Sequence, residues 1–181
     1  RRALWPVLGL LLVPCNVRGP GPVIWVVCDT LRADALSVYG APPDATPFIE
    51  RWSRESVVMT RSWSQGSHTI VSAPALLASL HPSSHGLQGD DDVLHPHTEL
   101  ISEALGARGY ATFGAIANPQ LRPRSGFDQG WDRLDAPTAW RDLSSAQMNE
   151  RFFQWRRRNW WRRRYFALVW YVDPRAPLQW T

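Results

Sequence analysis

An unbroken apolar run, Val23-Ile24-Trp25-Val26-Val27-Cys28, lies between Gly21-Pro22 and polar Asp29-Thr30. So short a run of β-branched and aromatic residues predicts a strand. Its lack of alternation predicts a buried parallel strand covered on both faces. Tyr39 to Asp44 is a turn-rich loop. Thr46-Pro47 then has the form of a helix start, a hydroxyl cap followed by proline at the first helical position. Phe48, Ile49 and Trp52 form its apolar face, with Glu50, Arg51, Arg54 and Glu55 opposite. Residues 57–63 resume a strand pattern, and Ser64 to Thr69 is a polar loop. A helix rich in small residues follows over 71–80, closed by His81-Pro82.

Residues 86–97 form an acidic loop containing glycine. Thr98 is the predicted cap of a helix with Leu100, Ile101, Ala104 and Leu105 on one side, stopped by Gly106 and Gly109. A strand is predicted over 110–117, a turn-rich stretch over 118–135, and a helix from Ser144 or Ser145 carrying Leu143, Met148, Phe152 and Trp155 inward. Residues 166–172 form a last apolar strand, ended by Asp173-Pro174. Strands alternating with helices predict an α/β fold, a mainly parallel sheet sandwiched between helices.

The first 19 residues stand apart. Arg1-Arg2 precede an apolar stretch from Ala3 to Val13, and Leu12-Val13-Pro14-Cys15 resembles a lipoprotein cleavage site. This is the pattern of an export signal or lipoprotein leader, implying a periplasmic, cell-surface or membrane-anchored protein. Residues 20–181 then form one domain, and the two chain ends read as those of a fragment.

Composition changes this picture in three ways. All 20 cationic residues are arginine, so no mechanism within this chain uses lysine. Cys15 and Cys28 make neither a disulfide framework nor a zinc set. The net charge of +4 owes much to the segment from Arg151 to Phe166, in which arginines alternate with Phe and Trp. Export directs that segment toward solvent or a membrane surface and away from nucleic acid. Asp90-Asp91-Asp92 reads as a solvated acidic loop, and His81 and His85 as helix-end and turn residues.

Two residues carry candidate chemistry. Asp29 ends the first strand, the edge at which ligands sit in open α/β sheets, and a carboxylate there needs hydrogen bonds or a metal. Thr69 stands where a polar loop enters a helix. A hydroxyl there caps the helix or acts as a nucleophile where the helix dipole favours anions.

Four blocks of residues then resemble, in order and spacing, the N-terminal part of a sulfatase-like enzyme of the alkaline phosphatase superfamily. They are Val26 to Gly40, Ala45 to Val57, Ser67 to Gly86 and Gly126-Phe-Asp-Gln-Gly-Trp-Asp132, with Tyr171 to Pro177 a further match. The resemblance implies a metal-dependent hydrolase of sulfate or phosphate esters. The alternatives are a membrane-associated phosphoryl-group transferase and a non-catalytic anion-binding relative. It places Asp29 as a metal ligand, Thr69 at the nucleophile position and Arg175 toward the substrate; His68, beside Thr69, is the other substrate-binding candidate. It implies one or two divalent metal ions, calcium first, with manganese or zinc as alternatives. Threonine cannot be oxidised to formylglycine, so none is expected, and Thr69 is preferred to Ser72 on register. The substrate is a small-molecule, glycan or lipid ester. Departures from the family pattern are Val71 and Ala73 after the nucleophile, Ala117-Asn118-Pro119 where lysine and histidine are usual, and Arg175 in place of histidine.

Overall fold

The structure, a computed structural model, describes residues 20–136 and 144–174. The expected leader with Cys15, Leu143 of the expected helix, and Arg175 lie outside the described residues. Four strands, β1 (Val23–Cys28), β2 (Ala111–Ile116), β3 (Arg133–Asp135) and β4 (Tyr165–Tyr171), form a parallel sheet in the order β1-β4-β2-β3. Among the described residues five α-helices accompany them: α1 (Pro47–Ser53), α2 (Thr69–Ala78), α3 (Pro82–His85), α4 (Ile101–Gly106) and α5 (Ser145–Arg158). The expected α/β fold is present.

The sheet core follows from the two-residue period of β2 and β4, which sends alternate side chains to opposite faces. On one face Ala111, Phe113 and Ala115 of β2 and Tyr165, Ala167 and Val169 of β4 meet Met148, Phe152 and Trp155 of α5. Alanines on the strands leave room for the helix aromatics, and Phe113 stacks on Trp155 at 5.0 Å. On the other face Ile116, Phe166, Leu168 and Trp170 pack with Ile70, Ala73 and Leu77 of α2 and with Leu100. The α5 start matches expectation: Ser144 Oγ accepts from Gln147 N (3.3 Å) and Gln147 Oε1 accepts from Ser144 N (2.8 Å), a capping box.

The Gly126 to Asp132 block is structural glue between β2 and α4. Gly130, at φ +73°, sits so close to α4 that a Cβ would lie 2.4 Å from Glu103 N. Gly130 O accepts from Thr112 Oγ1 (2.8 Å), and Gln129 O from Ser102 Oγ (2.7 Å).

Several expectations are corrected. Among the described residues strand β1 pairs with β4 alone, and Trp25 and Val27 pack on the core while Ile24 and Val26, on its other face, are half exposed. Among the described residues the expected cover is present on one face of this strand and not on the other. Residues 57–63 form no strand, because no ladder partner lies beside them among the described residues; Val57, Met59 and Trp63 are exposed. The apolar face of α1 also points outward at Phe48 and Trp52. Thr46 precedes α1, but its Oγ1 accepts from Ser37 N (2.9 Å) instead of capping the helix. Leu100, not Thr98, is the residue before α4, and Glu103 reaches back to accept from Leu100 N (2.8 Å). Helix α2 begins two residues earlier than expected and ends at Ala78, where Ser79 adopts φ 55°. Strand β3, hidden in the turn-rich stretch, was not expected; its three residues are too few to show a period. Among the described residues no helix is long and apolar enough to cross a membrane.

Candidate active site

Parallel strands place the residues that follow them along one sheet edge. Asp29 follows β1, Asn118 lies just beyond β2, Trp170 is the penultimate residue of β4, and Thr69 opens α2. At this edge Asp29, 8% exposed, receives three side-chain donors. Asn118 Nδ2 donates to Oδ2 at 2.6 Å, Trp170 Nε1 donates to Oδ2 at 3.1 Å, and Thr69 Oγ1 donates to Oδ2 at 3.2 Å. The contact from Thr69 to Oδ1 is longer, at 3.5 Å. A buried carboxylate needs such partners to offset its lost hydration.

Backbone geometry aims each group. Asp29 N extends the β1–β4 ladder by donating to Tyr171 O (2.8 Å), which locks the carboxylate's start point. Thr30 then turns the chain with φ 58°, a strained value for a β-branched residue and one that clusters at functional sites. Asn118 is fully buried, and its Oδ1 accepts from Gln120 N (2.9 Å). That bond assigns the amide orientation and leaves Nδ2 for Asp29 and, at 3.3 Å, for Thr69 Oγ1.

Thr69 is the first residue of α2, not its cap; His68 holds the cap position without a side-chain cap bond. The Thr69 hydroxyl is thus free of capping duty and turned to the carboxylate. Ser72, one turn on, instead donates to His68 O (3.1 Å), so the structure brings Thr69 and not Ser72 to Asp29. His68 is exposed, and its imidazole makes no hydrogen bond to Asp29 or Thr69. His81 caps α3 and His85 is its last residue, as expected of helix-end residues, and His85 Nδ1 accepts from Leu87 N (3.1 Å). In the acidic loop Asp92 accepts from Gln88 N and Gly89 N, which holds its carboxyl below the ordinary aspartate value.

Beside the cluster lies a second group at the ends of β1 and β4. Burial, then the charge of Asp173, raises the Cys28 thiol above its ordinary value. Burial followed by Cys28 and Asp173 raises Tyr171, whose hydroxyl donates to Asn149 Oδ1. Both groups are therefore neutral near pH 7.

Asn118 and Trp170 are the site residues that sequence reasoning missed. The signal for Asn118 was the one that marked Asp29, a polar residue directly after a buried strand. That for Trp170 was an indole N–H inside a buried strand, where it must find a partner.

Donor chemistry decides how far these residues suit a metal. The three short contacts of Asp29 all fall on Oδ2, leaving Oδ1 as one hard oxygen for a cation. Among the described residues no three His, Cys, Asp or Glu side chains gather into a metal-holding group. One carboxylate oxygen is too few for calcium, which takes about six to eight oxygens, so the described residues do not complete a metal site.

The parallel α/β sheet thus brings a carboxylate and a helix-start hydroxyl together at its carboxyl edge. The sulfatase family profile matches residues 22–160, and the chain belongs to that family. Comparison with curated protein sequences returned no match. Among solved structures, the phosphonate monoester hydrolase of Agrobacterium radiobacter superposes with a TM-score of 0.71 at 16% identity, over 87% of this chain and 42% of that one. BT4656, solved with its substrate D-glucosamine-2-N,6-O-disulfate, gives 0.67 at 14% identity, over 89% and 35%. Ps i-CgsB, solved in complex with k-i-k-neocarrahexaose, gives 0.61 at 17% identity, over 90% and 47%. The chain spans less than half the length of each. At these identities the likeness is one of fold.

Proposed function

We propose that this chain carries the nucleophile side of a hydrolase site for sulfate or phosphate esters, with Thr69 as nucleophile and Asp29 as its partner. The observation that carries this reading is the Thr69 Oγ1 hydrogen bond to Asp29 at the first residue of α2. The hydroxyl proton faces the carboxylate at a distance suited to transfer. The ester anion is favoured where α2 presents its free N–H groups. Thr69 Oγ attacks the sulfur or phosphorus as Asp29 takes its proton. The bond to the leaving oxygen breaks, and that oxygen is protonated from water. The hydroxide left by that water cleaves the threonyl ester, and the departing Thr69 oxygen takes back the proton held on Asp29. Trp170 and Asn118 hold Asp29 in place throughout.

Asp29 Oδ1 is the atom offered to a divalent cation, with calcium first and manganese or zinc as alternatives. When bound, such a cation would neutralise the ester's charge. Its other ligands are not among the described residues, and no step above depends on it. Arg175 and His68 are assigned to the substrate's anionic oxygens. A sulfated or phosphorylated sugar is the favoured substrate, by analogy with the sulfated sugars in the related structures. An exported location belongs to the same proposal, resting on the leader pattern.

Full-length protein is assayed against sulfate and phosphate monoesters and diesters, with calcium, manganese and zinc in turn. Thr69→Ala is expected to lower turnover at least about a hundredfold, and unchanged turnover would remove Thr69 as nucleophile. Asp29→Ala is expected to lower metal content, read by elemental analysis; retained metal would refute Asp29 as a ligand. One feature favours the non-catalytic relative: Ala117-Asn118-Pro119 stands where the resemblance implies lysine and histidine. Saturable binding of a sulfated sugar with no turnover under any metal would establish that reading instead. Transfer of the phosphoryl group to an added alcohol, with little hydrolysis, would establish the transferase.

A further inference from the structure

The arginine–tryptophan turn after α5 plays no part in the site. It lies at the start of β4, whereas Trp170 and Asp29 lie at the far end, about 20 Å away along a seven-residue strand. There Trp160 and Trp161 are 72% and 58% exposed. Exposed indoles are costly unless an apolar or interfacial medium takes them up. Around them Arg157, Arg158, Arg163 and Arg164 are exposed and pair with no carboxylate among the described residues. Phe153, one turn before Arg157 on the helix, is exposed as well. The other two arginines have local roles: Arg156 lies over the Tyr165 ring at 5.1 Å, and Arg162 reaches Asp132 at 3.5 Å.

The turn is held firmly. Asn159 Nδ2 donates to Trp155 O (2.9 Å), Arg162 N donates to Asn159 O (3.0 Å), and Trp155 itself is buried in the sheet core. The result is a fixed knob carrying two indoles within a ring of uncompensated positive charge.

We infer that this knob docks on an anionic lipid surface, the indoles entering the headgroup layer while the arginines face lipid phosphates. Indoles beside cationic side chains are the composition of interfacial anchors. A sulfated polysaccharide also complements the charge, but the indole geometry disfavours it. The rings stand at 89° to each other with centroids 6.3 Å apart, so they offer no common platform for consecutive sugar faces. Insertion into a disordered interface needs no such platform.

The test is flotation of the full chain with phosphatidylcholine vesicles, with and without phosphatidylglycerol. Binding is expected only to the anionic vesicles, and is expected to fall as salt shortens the screening length. Trp160→Ala with Trp161→Ala is expected to lower partitioning at least about tenfold. Arg163→Gln and Arg164→Gln are each expected to lower it about fivefold. These arginines lie beyond α5, so losing them leaves the helix end intact, and near-UV circular dichroism checks the fold of every variant. Arg54→Gln with Arg61→Gln, which removes exposed charge elsewhere, is the control and is expected to leave binding unchanged. Equal binding to neutral vesicles overturns the inference, as does equal loss in the control. Binding of a heparin fragment through the same residues, with vesicles left unbound, overturns it in favour of a polysaccharide.

Discussion

The β2–β4–α5 half of this molecule and its β1–α1 half use the same kinds of residue, yet they end in different environments. Phe113, Ala115, Phe166 and Leu168 are wholly buried between helices, while Ile24, Val26, Phe48 and Trp52 face outward. An apolar run is buried only where an element stands on each side of it. Among the described residues strands β2 and β4 have two strand neighbours each and helices on both faces, and β1 has one neighbour. The candidate site lies on the seam. Asp29 comes from the exposed half, while Asn118 and Trp170 come from the buried one. The rigid half therefore orients a carboxylate that the edge strand merely delivers.

The sharpest way to break this comparison is by deletion of core volume. Phe113→Ala is expected to cost about 3–5 kcal/mol, whereas Val26→Ala stays within about 0.5 kcal/mol. Urea denaturation of the two variants measures both, and similar losses would show that β1 is as closely packed as β2. A smaller effect is expected at the seam. Asp29→Ala strands the buried donors Asn118 Nδ2 and Trp170 Nε1, at about 1–3 kcal/mol. Trp170→Phe removes one donor and keeps the ring's bulk, at about 1 kcal/mol. Should Trp170→Phe prove as costly as Asp29→Ala, the indole would matter through packing and not through its N–H.

The smallest effect lies at Cys28. Its folded value is raised, so its contribution to stability is present below the ordinary thiol value and is lost as pH rises through the raised one. In a Cys15→Ser background, the alkylation rate of Cys28 is expected to have its midpoint above that of a free cysteine. Asp173→Asn is expected to bring that midpoint down, because it removes a negative charge that opposes the thiolate. A midpoint equal to that of free cysteine would mean that β1 leaves Cys28 fully in water.

Much of the fold was legible in the residues. The strands near 111–116 and 165–171, the helix start at Ser144 or Ser145 and the alternation of strands with helices all arise from local chemistry that short windows reveal. Residues 57–63 show the limit: their pattern was strand-like, but a strand exists only by pairing, and no neighbour is at hand among the described residues. Thr46 shows it too. It is a sound cap by composition, yet Ser37, nine residues away, engages its hydroxyl.

The site divides along the same line. Asp29 and Thr69 could be named from the chain alone, because each is a polar group at the end of an apolar element and the surrounding blocks follow a family order. Their meeting could not be read there, since 40 residues separate them and a hydrogen bond depends on where two elements stop in space. Asn118 and Trp170 entered only through the fold. The sequence shows that each is a polar group in or just after a buried strand but not which partner it meets, and it was the parallel stacking of β1, β4 and β2 that set both donors against one buried carboxylate. Short-range propensity writes the elements; shared burial at a common sheet edge selects which of their polar atoms must satisfy one another.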